Sequence, residues 1–127
     1  MRRVLLIDND ASLRRALARL MRLAGFEVSS FASVEALLES GSLDHPEGCL
    51  VLDVDMPGAG GIEFKQALVE AGRDRPTIFI TASEREGLDA QLARLHPVAV
   101  LRKPFTKEDL LEALDLAFAG GGLDLGH

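Results

Sequence analysis

The sequence predicts an α/β fold, a five-stranded parallel sheet with helices on both faces. Its apolar runs are short and continuous, as strands covered on both faces require. Helical patterns alternate with those runs in the βαβα manner. The length of 127 residues, 47% hydrophobic and 27% charged, matches one ordinary domain that can bury a core.

"RVLLI" (3–7) opens the chain as the first strand. A helix over about 11–24 follows, with Leu13, Leu17, Leu20 and Ala24 on one face and Gly25 as its stop. Arg14, Arg15, Arg19 and Arg22 lie mostly off that face, as a solvated surface or as a docking surface for an acidic partner. "FEVSSF" (26–31) is a more mixed second strand, and a second helix starts after Ser33. "CLVLD" (49–53) is the third strand, with a helix over 61–71 before Gly72. "TIFIT" (77–81) is the fourth, followed by a helix over roughly 84–95 before Pro97. "VAVL" (98–101) is the fifth. Thr106, with Asp109 three residues on, then forms a capping box for a last helix reaching about 119.

Right-handed crossovers bring every strand's carboxyl end to one edge of such a sheet, where open α/β sheets bind ligands. The first strand ends in Asp8, Asn9 and Asp10, the third in Asp53 with Asp55 two residues on. The fourth ends in Thr81, Ala82 and Ser83, and the fifth runs into Arg102, Lys103 and Pro104. Each group has a plain structural reading. Asp10 can cap the first helix, Asp8 and the Asp53/Asp55 pair can serve turns, Thr81 can be an ordinary strand residue, and Lys103 can be surface decoration. Their conjunction on one edge points instead to phosphoryl chemistry. Carboxylates suit a hard cation such as Mg2+, a lysine and a hydroxyl suit phosphoryl oxygens, and a carboxylate between metal and phosphate can be the nucleophile.

Other classes are disfavoured. A net charge of −6 argues against nucleic-acid binding by phosphate neutralisation. The longest apolar stretches fall far short of the roughly 20 residues of a membrane span. The run in "MRRVLLID" stops at an aspartate too soon for a signal peptide, and the lone Cys49 reads as a buried, inert thiol, so a cytoplasmic location is expected. "GAGG" (58–61) lacks dinucleotide-site spacing and reads as a turn. His45, His96 and His127 are too scattered for a zinc site or a catalytic triad.

"VLLIDND", "LVLDVDMPGAGGIEF", "IFITAS" and "LRKPF", in that order, resemble the receiver domain of bacterial two-component response regulators over residues 3 to about 119. The resemblance implies a flavodoxin-like strand order 2-1-3-4-5. It also implies a signal-transduction phosphoprotein, a phosphoacceptor that promotes its own phosphorylation and dephosphorylation rather than an ordinary enzyme. Asp53 would take the phosphoryl group from a histidine kinase or a histidine phosphotransfer protein in a phosphorelay, with Mg2+ as cofactor. Asp8, Asn9, Asp53 and Asp55 would form the metal site, Asp55 through its backbone carbonyl. Thr81 and Lys103 would each meet a phosphoryl oxygen, the Lys103-Pro104 bond would be cis, and Gly61 would supply the turn into the third helix. Asp55 and Ser83 stand at positions that tune phosphoryl lifetime in the family.

Three departures qualify the resemblance. Asn9 replaces a second acid that normally contacts the metal, so weakened Mg2+ affinity is expected unless Asp10 or Asp55 compensates. Val100 replaces the Tyr or Phe that reports phosphorylation in many relatives, leaving a backbone shift of the fourth helix and fifth strand as the route to output. His96-Pro97 stands where a glycine turn is common, so an early end to the fourth helix is expected. Two alternatives carry different chemistry. One is a pseudo-receiver, a protein-binding module that keeps the fold without efficient phosphorylation. The other is a small Asp-nucleophile phosphohydrolase of the haloacid-dehalogenase type, with "VLDVD" supplying a nucleophile and a general acid.

The domain reading is a receiver over 1–119 and a Gly-rich tail or linker over 120–127. That linker leads to an output domain beyond the chain, or the protein acts alone in a phosphorelay. The Met1 start favours an amino-terminal receiver. Homodimers through the fourth and fifth helices are common in the family.

Overall fold

Five parallel strands form the sheet of the computed structural model, which describes residues 2–45, 47–56 and 60–125, with side chains to Ala119. They are β1 (Arg3–Ile7), β2 (Glu27–Phe31), β3 (Cys49–Asp53), β4 (Thr77–Thr81) and β5 (Ala99–Arg102), in the order β2-β1-β3-β4-β5. Val4 through Ile7, Leu50 through Leu52 and Ile78 through Ile80 have no exposed surface. That explains their continuous rather than alternating apolar pattern, and each such side chain contributes about 1.5–3 kcal/mol through burial.

Helices α1 (Ala11–Leu23) and α5 (Lys107–Leu125) cover one face of the sheet. Leu17, Ala18 and Met21 of α1 and Leu110, Ala113, Leu114 and Ala117 of α5 pack there on Val4, Leu6, Val51 and Ile80. Helices α2 (Val34–Ser40), α3 (Gly61–Glu70) and α4 (Leu88–Ala93) cover the other, around Leu5, Ile7, Leu52 and Phe79. The arginines of α1 lie on the rim, where Arg22 donates to the Val28 carbonyl at 3.0 Å. Among the described residues, no helix is long and apolar enough to cross a membrane.

The capping residues act as the sequence predicts. The Asp10 carboxylate accepts the Ser12 and Leu13 N–H groups, and the Ser33 hydroxyl accepts that of Ala36. Thr106 and Asp109 exchange reciprocal bonds of 3.0 and 3.1 Å at the start of α5. Two of the predicted helices differ from the structure. Helix α4 begins at Leu88, four residues later than predicted, because the Ser83 hydroxyl holds the Arg85 N–H and Gly87 takes a left-handed φ of 83°. It ends early, as expected. Leu95 and His96 close only i−3 bonds, and His96 has a φ of 50°, the conformation glycine adopts without steric penalty. Helix α5 continues past Ala119 through consecutive glycines, because once nucleated each further residue adds a backbone bond.

Lys65 of α3 was not foreseen as a core residue. Its side chain is buried, pairs with Asp74, and donates to the Arg75 carbonyl at 3.1 Å and the Thr77 hydroxyl at 3.0 Å. It ties α3 to the start of β4, at the opposite end of that strand from Thr81, so its role is structural.

Candidate functional site

Strands β1 and β3 lie side by side with Ile7 opposite Leu52, so Asp8 and Asp53 emerge together at the carboxyl edge of the sheet. Both are buried. The Asp8 Oδ1 accepts the Asp10 N–H at 2.9 Å, whereas its Oδ2 is enclosed and makes no hydrogen bond. The Asp53 Oδ1 accepts the Asp55 N–H at 2.9 Å. Lys103, delivered by β5, places Nζ 3.8 Å from Asp8 Oδ2 and 3.6 Å from Asp53 Oδ2. Its backbone N–H donates to the Thr81 carbonyl at 2.8 Å, and the Lys103-Pro104 peptide is cis.

Two carboxylates therefore share one ammonium in a site largely closed to water. Burial pushes the Asp53 carboxyl up to about 6, with the Asp8 charge adding to the rise and the Asp55 N–H and Lys103 opposing it. Burial likewise pushes the Cys49 thiol, in the middle of the sheet, up to about 12, as an inert core cysteine requires.

A second cluster sits beside the first. The Thr81 side chain is buried, and its hydroxyl lies 3.1 and 3.0 Å from the two carboxylate oxygens of Asp55. Asp55 also accepts the Ala82 N–H at 2.7 Å, and the Thr81 Oγ1 accepts the Ser83 N–H at 2.9 Å. The Ser83 carbonyl in turn accepts from Arg102 at 2.6 Å, and Arg102 pairs with Asp89 of α4.

The structure thus brings Asp8, Asp53 and Lys103 together and places Thr81 next to them with its hydroxyl bound to Asp55. Asn9 is exposed at the same edge. Asp10 is committed to capping α1, and the Asp55 carboxylate faces Thr81 and Ala82. The turn at Pro57 and Gly58 lies outside the described residues. The Ala82 N–H and Arg102 were missed as participants. A backbone donor leaves no trace in side-chain patterning, and an arginine beside a lysine reads as surface charge. Arg14, placed on the solvated face of the first helix, reaches back to donate to the Asp8 carbonyl at 2.7 Å.

Among the described residues, no group of three or more His, Cys, Asp or Glu side chains could hold a metal ion. The pair Asp8 and Asp53 nevertheless fits Mg2+, which needs only one or two carboxylates and takes water or phosphate for the rest. The unsatisfied Asp8 Oδ2 is the specific observation behind that fit.

Gly61, where the chain turns into α3, also has a packing reason to be glycine. It is the first residue of α3 with no left-handed φ, and a Cβ there would lie 2.6 Å from the Asp53 carbonyl oxygen. Gly61→Ala is expected to lower the urea midpoint, at about 1–3 kcal/mol of overpacking; an unchanged midpoint would mean that α3 shifts freely. The raised Asp53 carboxyl makes a pH prediction. Between about 4 and 6 the folded state holds a proton that the unfolded chain releases, so this group's contribution to stability falls as pH rises through that window and levels off above it. In metal-free buffer, the stability advantage of Asp53→Asn over the native chain should therefore grow from pH 4 to 6 and then plateau. Paired urea titrations check this, and a gap independent of pH would return Asp53 to an ordinary carboxyl.

Comparison with known proteins places this arrangement. The family model described as response regulator receiver domain matches residues 4–115. The transcriptional regulatory protein TdiR of Thauera aromatica is 34% identical over 91% of the chain and 51% of its own length. The C4-dicarboxylate transport transcriptional regulatory protein DctD of Pseudomonas aeruginosa is 37% identical over 87% of the chain and 24% of its own. The chain thus spans about half the length of one relative and a quarter of the other. The crystal structure of FixJ-N superposes with a TM-score of 0.83 at 28% identity, covering 92% of this chain and 93% of that one. With sheet order, edge chemistry and sequence in agreement, the chain belongs to the response regulator receiver domains of two-component signalling.

Proposed function

We propose that Asp53 is the phosphoacceptor of this receiver, taking its phosphoryl group from a phosphohistidine of a histidine kinase or a phosphotransfer protein. The observation that carries the reading is the buried Asp53 carboxylate beside Asp8 with the Lys103 ammonium 3.6 Å away. An Asp53 oxygen attacks phosphorus as the N–P bond breaks, and the histidine leaves with the electron pair and takes up a proton. Lys103 then pairs with a phosphoryl oxygen, replacing its present contacts to the two aspartates. Thr81 and the Ala82 N–H are the remaining donors at this edge.

Asp8 Oδ2, Asp53, the Asn9 amide oxygen and the Asp55 backbone carbonyl would hold Mg2+. The ion, when bound, offsets the charge gathered on the phosphoryl oxygens. Asn9 contributes no charge to that set, which supports weakened metal affinity. In this reading the acyl phosphate on Asp53 is also lost by hydrolysis, water attacking phosphorus and the Asp53 carboxylate leaving.

Output passes to α4 and β5. Val100 offers no aromatic ring to rotate, whereas Arg102 spans the Ser83 carbonyl and Asp89, linking the segment after β4 to α4. A groove of about 530 Å³ lined by Asp89, Ala93, His96, Pro97, Ala99 and Val100 lies on this face. The greater length of TdiR and DctD supports a receiver that works on an output domain; a homodimer is the other route to output, and the proposed setting is the bacterial cytoplasm. The pseudo-receiver reading is favoured by Asn9 and by the occupied Thr81 donor. The phosphohydrolase reading has no such support, because its general acid, Asp55, is held by Thr81 and Ala82.

Intact-mass measurement after incubation with acetyl phosphate tests the proposal. A phosphoryl adduct that needs Mg2+ and is lost in Asp53→Asn is the expected result, with Asn9→Asp reaching it at lower Mg2+. A folded native protein and Asn9→Asp variant that both stay unmodified would move the assignment to a pseudo-receiver.

A further inference from the structure

The donors that a phosphoryl group on Asp53 would use are three: the Lys103 ammonium, the Thr81 hydroxyl and the Ala82 N–H. Two of them are already taken by a carboxylate of the chain itself. Thr81 has one hydroxyl proton, and with Oγ1 accepting the Ser83 N–H, that proton is directed at Asp55, whose two oxygens lie 3.1 and 3.0 Å away. Asp55 completes the contact by accepting the Ala82 N–H at 2.7 Å, the short range of charge-assisted bonds. This is not an incidental surface contact. Asp55 is exposed, so water could solvate its charge fully, yet the carboxylate turns onto the buried hydroxyl and the first backbone N–H beyond β4. A carboxylate and a phosphoryl group present the same face to such donors, two or three anionic oxygens in a plane or a pyramid.

We propose that the Asp55 carboxylate is an internal ligand of the phosphoryl-binding donors, and that phosphorylation of Asp53 requires its displacement from Thr81 and Ala82. The inference rests on the phosphoacceptor reading and adds a gate to it. Attack of Asp53 on an acyl phosphate breaks the donor's P–O bond, releases its carboxylate with the electron pair and forms the Asp53 O–P bond. The new phosphoryl oxygens can reach Thr81 and Ala82 only as Asp55 leaves. Because the outgoing and incoming groups are both anions, their charges oppose each other until that exchange is complete. The gate therefore slows loading of the site and resists weak donors. It also holds the Thr81–Ser83 segment in place before any phosphoryl group arrives, and through the Ser83 carbonyl and Arg102 it holds α4 as well.

The test is the rate of adduct formation from acetyl phosphate at saturating Mg2+, followed by intact mass in the native protein, Asp55→Asn and Asp55→Ala. Removing a charge-assisted contact of this kind is expected to speed loading on the order of tenfold in Asp55→Ala, with Asp55→Asn between the two because an amide oxygen can still accept one bond. Equal rates in all three would overturn the gate while leaving Asp53 a phosphoacceptor. No adduct in any of them would remove the phosphoacceptor reading and the gate together. A second readout needs no phosphodonor. The Ala82 amide proton resonance should move upfield and exchange faster in Asp55→Ala than in the native protein, and an unmoved resonance would show that the internal ligand does not form in solution.

Discussion

Two carboxylates buried next to each other, with a single ammonium between them, form the constraint on which the rest of this molecule turns. Asp8 and Asp53 are neighbours because β1 and β3 pair in register, and they are dry because helices close over both faces of the sheet. Like charges at close range in a low-dielectric setting repel strongly. The fold leaves that repulsion only partly offset, by Lys103 at 3.6–3.8 Å and by the Asp10 and Asp55 N–H groups. An incompletely neutralised carboxylate pair attracts a cation. The same unbalanced charge that weakens the fold is what the proposed phosphoacceptor chemistry would use.

The two-sided core provides the rigidity this arrangement needs. Val4, Leu6, Val51 and Ile80 pack toward α1 and α5, while Leu5, Ile7, Leu52 and Phe79 pack toward α2, α3 and α4. Successive residues of each strand are anchored on opposite faces, so a strand cannot slide by one position without turning its whole apolar set over. Strand ends are therefore fixed, and the polar residues that follow them are fixed too. Gly61 sharpens the placement by letting α3 approach the Asp53 carbonyl more closely than any side chain would permit.

Beside this rigid pair, the Asp55, Thr81 and Ala82 cluster is built on an exposed carboxylate. Its partners continue through Ser83 and Arg102 to Asp89 on α4, a helix of only six residues. Site and output face are joined by polar contacts at the surface rather than by an aromatic side chain turning in the core. In the proposed function, the chain's departures at Asn9 and Val100 and its acid at 55 all bear on one property, how charge at the edge would be passed to α4.

The sequence by itself determined the strands to within a residue, the helix starts after Asp10, Ser33 and Thr106, and the group Asp8, Asp53, Thr81 and Lys103 on one edge, while the sheet order came from the family resemblance. These are legible because burial on both faces writes a local pattern, and because parallel crossovers force every strand end to one side. Tertiary structure alone decided where Asp55 points, that Arg102 bridges to Asp89, that Lys65 is buried, and that α4 shrinks to Leu88–Ala93. An exposed carboxylate chooses among donors by distance in three dimensions, and two of its choices here lie 26 and 27 residues away along the chain. Backbone donors such as Ala82 carry no side-chain signature. The pattern of residues told which groups would meet at the edge, and only packing decided which of them were already bound to one another.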